Sequence, residues 1–176
     1  MSRSTNLIAP LWGLRYSKNH GYKFTSLVIT NVYGMRHQMK HAKFGVLNWF
    51  VRLALENKTI QIYGEGAQLR EYLFIDDLVE AMCLARKGAK NTSRYIVGGP
   101  SSISVKNCAQ TIINLAGLGR LEMVPWPMDR KQIESGDFTT DFSKIKQDLG
   151  WTPNTSFEEG IKRTIEFYKE FMSLYW

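Results

Sequence analysis

The sequence predicts an α/β fold, and three observations support that prediction. Short runs that alternate between apolar and polar residues, such as Thr59–Tyr63, indicate strands. Segments that place apolar residues on one helical face, such as Phe44–Leu55, indicate amphipathic helices. The two kinds of segment alternate along 176 residues, 44% of them hydrophobic, which is typical of a globular protein built from sheets covered by helices.

The individual elements follow from local periodicity and from helix start and stop signals. In chain order we predict a helix at Asn6–His20 that Pro10 weakens or starts, a strand at Lys23–Ile29, a helix at Phe44–Leu55, strands at Thr59–Tyr63 and Tyr72–Ile75, a helix from Asp77 to Lys87, a strand at Arg94–Val97, a helix from Ser104 to Ala116, a strand at Leu121–Val124 and helices at Asp141–Leu149 and Phe157–Phe171. Ser104 and Ser156 are predicted N-caps, and Asp77 with Glu80 forms a capping-box pattern. Between Pro125 and Thr140 the absence of any period predicts a long loop of the kind that is usually functional.

The charge distribution is uneven. The chain carries a net charge of +7, yet residues 1–58 hold nine basic residues and the single acidic residue Glu56, a net charge of +8. A field of one sign attracts anions, of which phosphates are the commonest partners of proteins. A nucleic acid, an anionic surface, a phosphorylated small molecule and a solvated basic face are all compatible with this charge.

Several classes of protein are disfavoured by the sequence. It has no apolar run of the roughly 18 residues that a membrane span needs, so we expect no contact with a membrane. The two cysteines, Cys83 and Cys108, are too few for a disulfide framework and fit a reducing, cytoplasmic location. His37 and His41 have a spacing that zinc ligands can use, but no third ligand is nearby, so we predict no metal site.

The glycine motifs that cradle phosphates are not found. The pairs at Gly64–Gly66 and Gly117–Gly119 both lack the third glycine of a dinucleotide-binding turn. Two arginines could bind phosphate instead. Arg70 follows the Gly64–Gly66 turn, and Arg130 lies in the long loop. A guanidinium group can bind two phosphate oxygens at once. Together with the basic first third they could hold a pyrophosphate; structural or surface ion pairs are the alternative.

Five collinear motifs resemble those of a known family. They are NVYG at Asn31–Gly34, IYGEGAQLREY at Ile62–Tyr72, FIDDLVEA at Phe74–Ala81, VGG at Val97–Gly99 and DFSKIKQDLGWTP at Asp141–Pro153. In order and spacing the chain resembles the carboxy-terminal half of the NAD-dependent nucleotide-sugar epimerase/dehydratase family, which are extended short-chain dehydrogenases. The segment His41–Leu55 is more similar to the branch that includes CDP-sugar epimerases.

The resemblance implies a nucleotide-sugar site. In the family the strand ending at Asn31 and Tyr33 meets the sugar pyrophosphate, the segments around Phe44 to Asn48 and Gln61 to Tyr63 flank the base and ribose, and arginines clamp the phosphates. The implied substrate-binding residues are Asn31, Tyr33, Phe44, Asn48, Gln61, Tyr63, Arg70 and Arg130. The Asp76 and Asp77 pair would cap the helix beneath the site. The family usually places an arginine nearer the Gly136–Asp137 turn than Arg130 lies.

The resemblance also implies what this chain lacks. The family's first half carries the cofactor glycines and a Tyr-x-x-x-Lys pair, and counting back from Gly21 places Ser2 and Asn6 at those two positions. We therefore expect no catalytic residue here, and NAD, the cofactor of the parent family, not to bind tightly to this chain alone. The expected organisation is an amino-terminally truncated single piece, with residues 1–35 ending a Rossmann-like domain and residues 36–176 forming mostly the nucleotide-sugar-binding lobe.

The function expected from these observations is the carboxy-terminal, substrate-binding portion of a nucleotide-sugar epimerase or dehydratase, acting as a homo-oligomer or with a partner that supplies the missing half. One alternative is a non-catalytic nucleotide-sugar-binding module or partner chain. Another is a nucleic-acid-binding protein that uses the basic first third, which the scarcity of neighbouring aromatic and basic residues there disfavours. The nucleotide, the sugar and the choice between epimerase and dehydratase stay open.

Overall fold

The computed structural model describes residues 2–41, 45–88, 93–132, 134 and 136–176. Its elements in chain order are α1 (Ser2–His20), β1 (Thr25–Ile29), β2 (Asn31–Tyr33), α2 (Val46–Leu55), β3 (Thr59–Tyr63), β4 (Leu69–Phe74), α3 (Ile75–Gly88), β5 (Ser93–Val97), β6 (Ser102–Ser104), α4 (Val105–Ala116), β7 (Arg120–Val124), α5 (Met128–Lys131), α6 (Ser143–Leu149) and α7 (Phe157–Tyr175). Within these ranges no helix combines the length and the apolar character that crossing a bilayer requires.

The strands form three small sheets. β1 pairs with β5 in parallel, and β3 pairs with β7 in parallel. In the third sheet β4 lies between β2, which is parallel to it, and β6, which is antiparallel. Because parallel neighbours need a crossover between them, the chain alternates strands with helices. The predicted α/β fold is confirmed.

The larger core lies between the helices α2, α4 and α7 and the strands β3 and β4. Val51, Ile60, Ile112 and Ile161 are completely buried there. The alternation along β3 explains its orientation, because Ile60 and Ile62 face this core while Thr59, Gln61 and Tyr63 face the other way. The strand thereby presents a polar and aromatic face to the cavity described below.

A second cluster packs α3 and α6 against β4 and β5. Leu73, Tyr95 and Ile145 are completely buried in it, and Trp151 is almost completely buried. The indole nitrogen of Trp151 donates a hydrogen bond to the carbonyl oxygen of Asp77 at 3.0 Å, so the one polar atom of this large side chain is satisfied. This cluster fixes the segment around Trp151 against α3.

Both predicted serine caps are confirmed. The Ser104 hydroxyl accepts a hydrogen bond from the backbone nitrogen of Asn107 at 3.1 Å, and that of Ser156 accepts one from Glu159 at 3.2 Å. The capping role of Asp77 is wrong, because α3 already begins at Ile75. Asp77 is buried, and its carboxylate accepts hydrogen bonds from the backbone nitrogen and the hydroxyl of Thr155, both at 3.1 Å.

Other differences concern segments whose structure depends on distant partners. The β6 strand was not predicted, and the predicted loop after Pro125 contains the short helix α5. α6 begins at Ser143 rather than at Asp141, whose carboxylate accepts a hydrogen bond from the Ser143 nitrogen. α1 continues through Pro10, and α7 bends at Phe171 but does not end there.

Candidate functional site

A cavity of about 680 Å³ opens between the start of β2, the start of α2 and the strands β3 and β4. Its polar lining comes from Asn31, His37, Thr59, Gln61, Tyr63, Gln68, Arg70 and Glu134. Its apolar lining includes Leu47, Trp49, Phe50 and Tyr72. The volume lies in the range of small-molecule sites, which combine apolar walls with convergent polar groups. In this cavity the polar residues make up about half of the lining.

Arg70 contributes the positive charge among these residues. One terminal nitrogen of its guanidinium group forms an ion pair with the Glu134 carboxylate. The other donates hydrogen bonds to the carbonyl oxygens of Leu69, at 2.8 Å, and of Gly136. The planar fork of Arg70 is therefore held in the cavity wall with a carboxylate oxygen in the position that a phosphate oxygen could take.

Asn31 stands beside Arg70 at the end of the same sheet. Its side-chain amide nitrogen donates a hydrogen bond to the carbonyl oxygen of Glu71 at 3.0 Å, which ties β2 to β4. Glu71 is buried, and its two carboxylate oxygens accept hydrogen bonds from the nitrogen, at 2.7 Å, and the hydroxyl of Thr140. The wall that carries Asn31 and Arg70 is thus anchored on both sides of β4.

Gln61 and Tyr63 form the second wall, on the face of β3 that points away from the core. The amide nitrogen of Gln61 donates to a carboxylate oxygen of Glu122 at 2.9 Å. The ring of Tyr63 lies 5.3 Å from that of Trp126, measured between centroids. An amide and an aromatic face side by side can recognise a planar heterocycle by hydrogen bonding and stacking.

Tyr33 and Asn48 lie behind the wall, outside the set of residues that line the cavity. Tyr33 packs against the rings of Tyr72 and Phe157, and its hydroxyl donates to the Phe157 carbonyl oxygen at 3.4 Å. Burial, and then the charge of Asp77, raise the pKa of Tyr33 far above its ordinary value, so this hydroxyl keeps its proton at neutral pH. Asn48 accepts from the nitrogen of Gly34 at 3.3 Å and donates to its carbonyl oxygen at 2.6 Å, fixing the turn after β2.

The substrate-binding roles of all eight residues stay predictions, and two of the eight side chains lie outside the described structure. Phe44 lies outside the described residues. The backbone of Arg130 belongs to α5, and its side chain also lies outside the described set. Four of the eight predicted residues, Asn31, Gln61, Tyr63 and Arg70, come together at the cavity.

Glu134 and Trp49 line the cavity but are not predicted from the sequence. His37 lines it too, although the sequence favours a basic-patch histidine there over a metal ligand. The His37 nitrogen donates to the Tyr168 hydroxyl at 2.9 Å, and that hydroxyl donates back to the His37 carbonyl oxygen at 2.9 Å. The amide of Asn48 also donates to this hydroxyl, at 3.4 Å. Across the described ranges no three His, Cys, Asp or Glu side chains are grouped as a metal site would need.

Comparison with known proteins places these features in a family. The model of the NAD dependent epimerase/dehydratase family matches residues 7–98. A UDP-glucose 4-epimerase of Mycolicibacterium smegmatis is 31% identical over 142 residues, which are 79% of this chain and 43% of that protein. A dTDP-glucose 4,6-dehydratase of Neisseria gonorrhoeae is 30% identical over 160 residues, covering 84% of this chain and 44% of the relative.

The fold agrees with that of solved structures. The crystal structure of UDP-glucose 4-epimerase from Thermotoga maritima with UDP-glucose matches with a TM-score of 0.81 and 26% identity, over 94% of this chain and 52% of that one. The chain therefore spans less than half the length of the two curated relatives and about half of the solved structure. The matched segment contains Asn31, Gln61, Tyr63 and Arg70, the four predicted site residues that line the cavity. The resemblance seen in the motifs is confirmed. The chain belongs to the NAD-dependent epimerase/dehydratase family.

Proposed function

We propose that this chain is the carboxy-terminal, substrate-binding portion of an NAD-dependent nucleotide-sugar epimerase or dehydratase, and that its cavity binds the nucleoside diphosphate of the sugar. The observation that carries the proposal is the presence of Arg70 in one cavity with Gln61 and Tyr63. A cation for phosphates and an amide with a ring for a base are the groups that such a ligand needs. Relatives named for UDP-glucose and dTDP-glucose support the same ligand class.

Each wall has its own role in this proposal. The Arg70 guanidinium binds the diphosphate with a pair of charge-assisted hydrogen bonds, next to the Asn31 amide. Gln61 and Tyr63 contact the base and ribose. The net charge of +8 on residues 1–58 raises the local concentration of an anionic ligand. In domain terms, residues 1–35 end the dinucleotide-binding domain and residues 36–176 form mostly the nucleotide-sugar lobe.

The family's cofactor does not fit the residues of this chain. The pyrophosphate of a dinucleotide is held where a strand turns into a helix through closely spaced glycines. The pair Gly64 and Gly66 joins strand β3 to strand β4, and the pair Gly117 and Gly119 joins helix α4 to strand β7. Neither makes that turn, so we propose that NAD is not bound tightly by this chain alone.

A non-catalytic nucleotide-sugar-binding module, or a chain that works with a partner, is the second candidate. The observation in its favour is the pair Ser2 and Asn6, which stands where the family's tyrosine and lysine would be. A serine hydroxyl and a neutral amide cannot replace a phenol whose pKa is lowered by an ammonium group. The two candidates share the ligand and differ in whether another chain completes the chemistry.

Titration calorimetry tests the shared ligand. We expect the chain to bind a UDP- or dTDP-sugar and the matching nucleoside diphosphate more tightly than the nucleoside. In Arg70→Ala this preference should shrink by about 1.5–3 kcal/mol, the contribution of hydrogen bonds to charged groups. Arg120→Ala, which removes the same charge from an exposed position on β7, is the control.

Two results would count against the proposal. Equal preference in wild type and Arg70→Ala would remove Arg70 from the ligand site. Turnover of a nucleotide sugar by the 176-residue chain with added NAD, followed by product sugar analysis, would overturn the proposed lack of catalysis.

A further inference from the structure

We propose that His37 is a further ligand-binding residue of the cavity, and that its Nε2 atom bonds an oxygen atom of the bound nucleotide sugar. The inference rests on the proposed function, because it names an additional group of the same site. It does not depend on Arg70, since other contacts carry it.

The first observation is an unsatisfied atom in the cavity wall. His37 lines the cavity together with Gly45 and Val46. Its Nε2 atom is shielded from solvent and has no hydrogen-bond partner among the described residues. Buried polar atoms are nearly always paired, and an exception calls for an explanation such as a missing ligand. A ligand oxygen in the adjoining cavity would supply that partner once the ring turns toward it.

The second observation is that two hydrogen bonds fix the backbone of His37. The Tyr168 hydroxyl bonds both the nitrogen and the carbonyl oxygen of His37, each at 2.9 Å, and Tyr168 itself is fully buried in α7. The preceding residue, Arg36, has a φ of 60°, a left-handed conformation that non-glycine residues rarely adopt. A strained residue persists where its surroundings fix it, and such positions cluster at ligand sites. The ring is thus presented by a backbone that does not need to be ordered on binding.

The third observation is that the imidazole ring of His37 lies against Gly45. A Cβ atom at position 45 would be 2.1 Å from Nε2 of His37, so no other residue fits there without moving the ring. Gly45 also has a φ of 72°, at the start of α2. Contact with a ligand requires the imidazole to turn about its Cβ–Cγ bond, away from Gly45 and into the cavity. This is a side-chain rotation that leaves the hydrogen bonds to Tyr168 intact.

The chemistry of the imidazole defines the ligand group. In neutral histidine Nε2 either donates or accepts one hydrogen bond, depending on the tautomer. Ribose and hexose hydroxyls can act in both ways, and phosphate oxygens can accept. Each of these groups offers an oxygen atom to Nε2. Comparing the nucleoside, the nucleoside diphosphate and the nucleotide sugar shows which part of the ligand carries that oxygen.

The test compares His37→Phe with the matched change His41→Phe, four residues along the same segment. Binding is measured for UDP-glucose and dTDP-glucose, each with its nucleoside diphosphate and its nucleoside. His37→Phe should weaken binding by about tenfold, as expected for one hydrogen bond, while His41→Phe stays within about twofold. A loss that is already present with the nucleoside assigns the contact to its ribose or base. A loss that first appears with the diphosphate or with the sugar assigns it to that part.

A second measurement uses the wild-type chain and so tests the inference even if the His37→Phe variant does not fold. Nitrogen-15 spectra of the histidine side chains of the wild-type chain are recorded with increasing UDP-glucose or dTDP-glucose. The Nε2 signal of His37 should shift with saturation, and that of His41 should not. An unmoved His37 signal in a chain that binds the ligand would overturn the inference.

The proposed function and the inference fail differently. If no nucleotide sugar binds the wild-type chain, the proposed function is overturned and the role of His37 with it. If the ligand binds and Arg70→Ala weakens it, while His37→Phe binds like wild type, only the inference about His37 is overturned.

Discussion

Glu134 forms an ion pair with Arg70 inside the cavity wall, and the same carboxylate oxygen accepts a hydrogen bond from the Gly136 nitrogen at 3.1 Å. The side chains of Arg70 and Glu134 are only 18% and 26% exposed, so the contact is partly shielded from water. A phosphate that binds Arg70 in the same way must displace Glu134. The carboxylate is thus an intramolecular competitor for the proposed ligand.

Glu134→Gln should increase the affinity for a nucleoside diphosphate. The amide neither competes as an anion for Arg70 nor repels the phosphates, so we expect a gain of about three- to tenfold, in keeping with a partly shielded ion pair. Calorimetry with UDP and uridine measures it, and uridine should be unaffected. Glu166→Gln, at an exposed position on α7, is the control. Weaker binding of UDP by Glu134→Gln would show that Glu134 assists the ligand.

Tyr168→Phe should destabilise the fold. The lost hydroxyl is bonded to both backbone groups of His37 and to the amide of Asn48, and the ring is completely buried. Leaving these partners without a hydrogen bond costs about 1–3 kcal/mol of unfolding free energy. Urea denaturation measures it, with Tyr22→Phe as the exposed control. Equal midpoints for the two variants would contradict the role assigned to this hydroxyl.

The neighbours Asp76 and Asp77 should respond very differently to replacement by alanine. Asp77→Ala leaves the nitrogen and hydroxyl of Thr155 without their acceptor and should lower stability by about 1–3 kcal/mol. Asp76 forms an exposed ion pair with Arg163, and Asp76→Ala should cost less than about 1 kcal/mol. Denaturant titration of both variants checks the difference. A larger cost at Asp76 would contradict the burial of Asp77.

Gly99→Ala should destabilise the chain, because a Cβ atom at this position would lie 2.2 Å from the carbonyl oxygen of Tyr72. Backbone cannot move aside as a side chain can, so we expect a loss of about 1–3 kcal/mol. At Gly88, at the end of α3, the nearest described atom to an added Cβ is the flexible tip of Leu149 at 3.3 Å, so Gly88→Ala should be neutral or slightly stabilising. Thermal unfolding compares the two, and a stable Gly99→Ala would show that the backbone there can adjust.

Sequence patterns predicted the elements that depend on interactions between residues close together in the chain. The bounds of β3 match the prediction because its alternation is complete, and the caps at Ser104 and Ser156 match because a hydroxyl bonds a nitrogen only three residues away. β6 has no such signal, since three residues form a strand only through pairing with β4. Asp77 has the pattern of a cap, but its partner Thr155 lies 78 residues later.

The candidate site divides in the same way. Arg70, Gln61 and Tyr63 could be proposed because each lies in or beside a strand with a recognisable motif. Glu134 and the Tyr168 anchor of His37 could not, because these contacts join residues 64 and 131 positions apart. The packing of the segment after α5 brings Glu134 to Arg70, and the packing of α7 brings the Tyr168 hydroxyl to the backbone of His37.

The pairing of the strands also determines how this chain can fold. No two strands that follow one another in the described sequence pair with each other, and Thr25 meets Ser93 and Thr59 meets Arg120 across about 60 residues or more. Loops of this size must close before the β1–β5 and β3–β7 pairings can offset the loss of chain entropy, so we expect folding to take milliseconds to seconds or longer. During synthesis, β1 cannot pair until β5 has been made, and β3 cannot pair until β7 has been made. Until then their apolar residues are exposed in the nascent chain, where a chaperone or another copy could capture them.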